Sequence, residues 1–278
     1  MSGALSSASA SSGRLAQDPW FHPQWPAPRR VRALSTQRAG GASDGANHRY
    51  ASLNLGTHVG DDPETVRRNR ECLRAALPAE PLWLSQVHGT RVLDADGPLP
   101  TDGLPPKADA AVTRTPGRVL AVMTADCLPV LLADRAGTVV AVAHAGWRGL
   151  AAGVIENAVR AMNVSGGAKD GDIVAWLGPA IGPRAYEVGS DVRDAFVFGD
   201  SVAHDSAHAD PAAIDAFEAR ANGKYLADLY HLARRRLERV GVTDVHGGDA
   251  CTFGERERFF SFRRDGQTGR MASLIWLE

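Results

Sequence analysis

Short, dense apolar runs separated by turn residues dominate the second half of the chain. Residues 119–124 (VLAVMT), 128–134 (LPVLLAD), 138–143 (TVVAVA) and 173–177 (IVAWL) are rich in aliphatic and β-branched side chains. They are too short for helices and too uniformly apolar for a solvent-washed sheet, so they read as buried strands. Shorter runs at 31–34, 82–87, 243–246, 258–262 and 271–277 read the same way. Helical spacing appears in three places. Residues 63–77 carry Val66, Asn69, Arg70, Leu73 and Leu77 along one side, with Asp62 as cap, Pro63 in the first turn and Pro78 as the stop. Residues 149–162 form a second helix despite Gly153. Residues 224–240 form a third, with Leu226, Leu229, Leu232, Ala233 and Leu237 on its apolar side. Polar stretches at 35–61 and 94–107 are loops, and 199–222, rich in Ala, Asp and His, is a surface excursion.

Strands and helices mix without strict β-α-β alternation, so the pattern predicts an α+β fold. Residues 1–18 are rich in Ser, Ala and Gly and form a disordered tail; 19–278 form a single domain. The tail lacks the apolar stretch of a signal peptide, and no segment is apolar for the length of a bilayer. With 31 Lys and Arg against 32 Asp and Glu, the formal charge is -1. That balance argues against nucleic acid or a membrane surface as the partner. Three widely spaced cysteines, Cys72, Cys127 and Cys251, suit a reduced, cytoplasmic setting better than a disulfide framework.

The candidate chemistry gathers around one hairpin. If Arg135 and Ala136 form a two-residue loop, Asp134 opposes Gly137, and stepping outward brings Cys127 opposite His144. His88 ends another apolar run. Two imidazoles and a thiolate suit zinc with a fourth position open, and copper accepts the same set. The plainer reading is a buried thiol with two hydrogen-bonded histidines. A metal-free alternative makes Cys127 a nucleophile paired with His144. Asp126 is either a proton carrier or the acceptor of a turn hydrogen bond. Arg148, Arg263 and Arg264 could clamp phosphate, and Asn54, Gln86 and Asp249 could orient a base or sugar; Trp147 and Phe253 could stack on a purine. Solvated, loop-holding or core roles are the alternatives for each.

Seven stretches taken together are more specific: SLNLGTHVGDDPETVRRNR, LWLSQVHGTRV, KADAAVT, VMTADCLPVLLAD, VAHAGWRGLAAGV, LGPAIGPRAYEVG and FFSFRRDGQTGRMASLIWL. Through them the chain resembles the multicopper-oxidase-like laccase-domain family, which includes the bacterial YfiH and YlmD proteins, from about residue 20 to the end. The resemblance implies a four-layer αββα sandwich of mixed sheets related to the cytotoxic necrotizing factor catalytic domain. It implies zinc held at His88, Cys127 and His144. It also implies a purine nucleoside phosphorylase that deaminates adenosine and cleaves methylthioadenosine, with purine nucleosides and phosphate as its partners. Other members of the family are tied to hydrolysis of a mis-made peptidoglycan precursor carrying serine, and an older naming makes them copper polyphenol oxidases. The chain departs from the family pattern at Asn47-His48-Arg49, where a proline is common, and in the 199–222 excursion.

Overall fold

The structure, a computed structural model, describes residues 20–45, 48–100, 103–164, 172–199 and 211–278. Two sheets stack face to face. The first is antiparallel, in the order β1 (Trp20–Phe21), β2 (Val31–Thr36), β13 (Met271–Leu277), β5 (Leu120–Thr124). The second is mixed and six-stranded. It runs β12 (Asp244–Gly247), β8 (Ile173–Leu177), β6 (Leu128–Asp134), β7 (Val140–Ala145), β4 (Ala110–Thr113), β3 (Val92–Asp94). Its two outer pairs are parallel and its inner pairs antiparallel.

Strand alternation explains why the runs are apolar throughout. Leu120, Val122, Ile275 and Leu277 of the first sheet meet Leu131, Val140, Val142 and Trp176 of the second. The intervening residues face outward. Ala121, Met123, Ala272 and Leu274 lie under Leu73 and Leu77, at the end of α1 (Pro63–Arg74). Val130, Leu132, Ala141 and Ala143 lie under helices on the far side. Those helices are α2 (Trp147–Ala152), α3 (Val154–Val164), α4 (Ser190–Val197), α5 (Pro211–Ile214) and α6 (Leu229–Arg239). The result is helix, sheet, sheet, helix, the four layers expected. A small sheet of β9 (Glu187–Val188), β11 (Tyr225–Ala227) and β10 (Phe217–Ala219) adjoins the second helical layer. One-turn α7 (Phe262–Asp265) precedes β13.

Local chemistry accounts for the element ends and for several corrections. Asp62 accepts from the Thr65 amide at 2.8 Å and Pro63 opens α1, as its sequence dictates. The helix expected over 149–162 is two helices, because Gly153 adopts a left-handed φ of 96° and ends α2. The third helix starts at Leu229: Tyr225–Ala227 pairs in the small sheet first, and Asp228 then caps α6. Residues 82–87 make only isolated bridges, Leu82 to Leu120 and Ser85 to Lys107. Residues 258–262 are not a strand either. Phe259 and Phe260 both enter one cluster with Ala125, Ala250 and Met271, whereas consecutive strand residues would face opposite ways. Strands β3 and β4 were not expected. The 1–18 tail and residues 200–210 of the excursion lie outside the described residues. Among the described residues no helix is long and apolar enough to cross a membrane.

Leu131 is fully enclosed between the sheets. Leu131→Ala should lower unfolding free energy by about 2–5 kcal/mol in urea titrations, whereas alanine at exposed Cys72 should change it by less than about 0.5 kcal/mol.

Candidate metal centre

The hairpin register differs from expectation by two residues. Pro129, not Cys127, opposes His144, and Leu128 opposes Ala145. The loop is longer because Asp134 organises it: its carboxylate accepts from the Thr138 and Val139 amides at 2.7 and 2.9 Å. Gly137 supplies the positive φ of 68°. A shift of two keeps every side chain on its expected face. Cys127, one residue before β6, therefore stays diagonal to His144 and not directly opposed. His88 arrives from the turn after residue 87. The ligand atoms of His88, Cys127 and His144 all lie within 4.8 Å of one another. Cys127 Sγ is 3.6 Å from His88 Nε2, and the two imidazoles meet edge to face at 4.8 Å.

One residue holds both histidines, and sequence reasoning missed it. Asp109 is fully buried. Its Oδ1 lies 2.9 Å from His144 Nδ1 and accepts from the His88 amide at 2.8 Å. Its Oδ2 accepts from the amides of Val87 and Gly89 at 3.1 and 2.8 Å. Its carbonyl accepts from the His144 amide at 2.6 Å. The carboxylate thus clamps the 87–89 turn and takes Nδ1 of His144, leaving Nε2 for a ligand. The only sequence signal was its place in KADAAVT.

The backbone is strained where the ligands attach. His88 has φ 60° and Asp126 has φ 98°, a conformation costly for any residue but glycine. Asp126 is held there by its own carboxylate, which accepts from Thr252 Oγ1 and the Arg263 amide, both at 2.6 Å. Its carbonyl accepts from the Ile181 amide. Gly146 lets α2 close on the site: a Cβ there would stand 2.5 Å from His88 Cδ2 and 3.2 Å from Cys127 Sγ.

Charge follows from this geometry. Burial opposes ionisation of the Cys127 thiol, but the neighbouring His144 and His88 outweigh it and bring its pKa down to about 6. Burial likewise opposes the charge on His144, yet the Cys127 thiolate and Asp109 raise its pKa. The donor types suit a tetrahedral divalent ion, and the spacing of one donor pair matches it. With zinc–sulfur near 2.3 Å and zinc–nitrogen near 2.05 Å, a tetrahedral angle separates sulfur from nitrogen by about 3.5 Å, against 3.6 Å for Cys127 Sγ and His88 Nε2.

A family model described as multi-copper polyphenol oxidoreductase laccase matches residues 32–278. The chain belongs to this family. Within the laccase family it is 53% identical over 258 residues to the purine nucleoside phosphorylase YfiH of Escherichia coli K12, covering 92% of this chain and 97% of that one. It is 52% identical over 260 residues to a purine nucleoside phosphorylase of Pseudomonas aeruginosa, covering 93% of this chain and 98% of that one. Among solved structures, a Neisseria meningitidis protein superposes with TM-score 0.83 at 52% identity, over 94% of this chain and 100% of that one. YlmD from Geobacillus stearothermophilus gives 0.81 at 31% identity, over 95% and 98%.

The other residues singled out in the sequence divide by what they touch. Arg264 is fully engaged: its five N–H groups meet the carbonyls of Thr252, Phe253 and Phe259 and both oxygens of Asp265. It braces the loop before β13 and has no donor left for phosphate. Asn54 is fully buried, donating to the Gly56 carbonyl and Asp61 and accepting from the Gly56 and Arg270 amides. It shapes a loop and has no polar group to spare for a sugar. Gln86 pairs with both backbone groups of Met123 at 2.8 Å, tying the segment before His88 to β5. Arg263 spends one donor on the Glu187 carbonyl and stacks 5.3 Å from the Tyr186 ring. Arg148 is exposed over Trp147, Asp249 is exposed, and Phe253 is 37% exposed.

Asp109→Asn keeps the shape but disturbs the His144 tautomer. It should weaken metal binding about 10–100-fold in a chelator competition; unaltered affinity would show that Asp109 does not orient the ligands. In metal-stripped protein, iodoacetamide labelling of Cys127 should lose rate below a midpoint of about 6. An unperturbed thiol has its midpoint near about 8.5, and such a value for Cys127 would contradict the electrostatic account.

Proposed function

We propose that the chain is a zinc-dependent purine nucleoside phosphorylase acting on adenosine and methylthioadenosine, with adenosine deamination as a second outcome. The observation that carries this reading is the convergence of His88, Cys127 and His144 on one point, with Asp109 fixing both imidazoles. It is supported by relatives above 50% identity that bear the phosphorylase name.

In phosphorolysis a phosphate oxygen bonds to C1′ of the ribose as the bond from C1′ to the purine nitrogen breaks. The electron pair leaves on the base, which takes up a proton, giving adenine and ribose 1-phosphate. Deamination adds water at C6 and releases ammonia, giving inosine. Zinc held by His88, Cys127 and His144 would supply concentrated positive charge to activate an oxygen nucleophile and offset the charge it carries. The protein supplies position. Asp109 holds the His144 ring by its Nδ1, and the strained turns at His88 and Asp126 aim their side chains without rearrangement. Tyr186 stays protonated because burial, and then the Cys127 charge, hold its pKa well above the usual phenol value. With Arg263 stacked on its ring, it offers an aromatic face and a donor to a substrate.

A second reading has one observation of its own. Cys127, His144 and Asp109 lie in the order of a nucleophile, base and orienting acid, with the thiol pKa pulled down. That order suits acyl transfer, including removal of serine from a mis-made UDP-muramyl precursor.

The test is adenosine with phosphate and metal-assayed protein. Adenine and ribose 1-phosphate should form, with some inosine, and rising phosphate should shift product toward adenine. Near-stoichiometric zinc and little copper should accompany activity. His88→Ala and His144→Ala should remove both products together. Loss of one product alone would refute a shared metal, and serine release without nucleoside turnover would favour the acyl-transfer reading.

A further inference from the structure

Two arginines beside loop 54–58 are partly sunk in the protein, and among the described residues no carboxylate is bonded to either. Arg70, on α1, gives Nε to the Leu55 carbonyl at 2.9 Å and rests Nη2 on the Met123 sulfur at 3.9 Å, over the Trp83 ring at 4.2 Å. Arg270, just before β13, turns Nη1 back to the carbonyls of Thr268 and Gly269 at 2.8 and 3.1 Å. Its Nε and Nη2 meet no protein acceptor among the described residues. Burial works against the charge on both; distant Glu80 supports Arg70, and Cys127 and Asp126 support Arg270.

The two side chains flank one loop. Asn54 Oδ1 accepts from the Arg270 amide at 2.9 Å, the Leu55 amide donates to the Arg270 carbonyl at 3.2 Å, and a Cβ on Gly56 would stand 2.9 Å from Arg270 Cγ. The same loop carries solvent-facing His58, whose pKa is lowered by burial and then by Arg270 and Arg70. Met123, against Arg70, pairs with Ala272 across the sheet and stands four residues before Cys127. Loop 54–58, α1, the start of β13 and the end of β5 therefore meet at one place, and of the two arginines it is Arg270 that feels the charges of Cys127 and Asp126.

A desolvated cation with no carboxylate bonded to it is costly to hold. The free Nε and Nη2 edge of a guanidinium is the fork that matches two oxygens of a phosphate. We propose that Arg70, Arg270 and His58 form the subsite that receives inorganic phosphate beside Cys127. The assignment of phosphate rests on the phosphorylase reading; the open fork of Arg270 and the two guanidiniums around loop 54–58 do not. Arg264, whose donors are consumed, is replaced in this role.

Binding and turnover are read separately on the zinc-loaded full chain. Calorimetric titration with inorganic phosphate alone should show binding in the wild type. Arg70→Gln and Arg270→Gln should each weaken it by about tenfold or more, with zinc content unchanged. Arg270→Lys, which keeps the charge and loses the fork, should recover only part. The KM for phosphate should rise in step while the KM for adenosine holds. Solvent-facing His58→Ala guards against misfolding of the arginine variants and should cost about threefold or more in phosphate affinity. Phosphate binding of this pattern without nucleoside turnover supports the subsite and sinks the phosphorylase reading. Phosphorolysis with unchanged phosphate KM in the arginine and His58 variants, or no phosphate binding to the wild type, overturns the subsite.

Discussion

The carboxylate of Asp109 sits where two otherwise independent parts of the fold must agree. One oxygen takes the His144 ring and the His88 amide; the other takes the amides on either side of His88. A buried carboxylate is tolerable only when its lone pairs are filled. Here the groups that fill them carry the candidate ligands, so the same hydrogen bonds that satisfy the charge also set the geometry. Burial raises the Asp109 pKa, and these partners more than reverse it, holding the acid below its ordinary value.

The double sheet makes that arrangement rigid. Asp109 immediately precedes β4, whose Ala110 pairs with Ala143 of β7, next to His144. Cys127 immediately precedes β6, which pairs on the other edge of β7. Ligands on neighbouring strands of a sheet buried on both faces have little freedom to separate. Strain at His88 and Asp126 persists because each is held from several sides, the condition under which strained residues survive at functional sites.

Much of this was legible in residues 119–145, because strands buried on both faces must be apolar at every position. Convergence of Cys127 and His144 survived a wrong loop length, since a slip of two preserves the face. Asp109 was not legible: its carboxylate meets the His144 ring 35 residues away and backbone amides 20 to 22 residues away, and no local pattern announces them. The arginines failed differently. Their type suggested anion binding, but only coordinates show that Arg264 spends every donor on its own loop while Arg270 keeps a free edge. Paired Phe259 and Phe260 imitated a strand because composition does not report which way successive side chains point.

The central claim is that His88, Cys127 and His144 share one metal ion, and anomalous diffraction at the zinc absorption edge tests it most directly. The account predicts a single strong peak about 2.0–2.3 Å from His88 Nε2, His144 Nε2 and Cys127 Sγ. Crystals of zinc-replete protein with no peak there, or with zinc bound elsewhere while Cys127 and His144 form a bare thiolate–imidazolium pair, would contradict it.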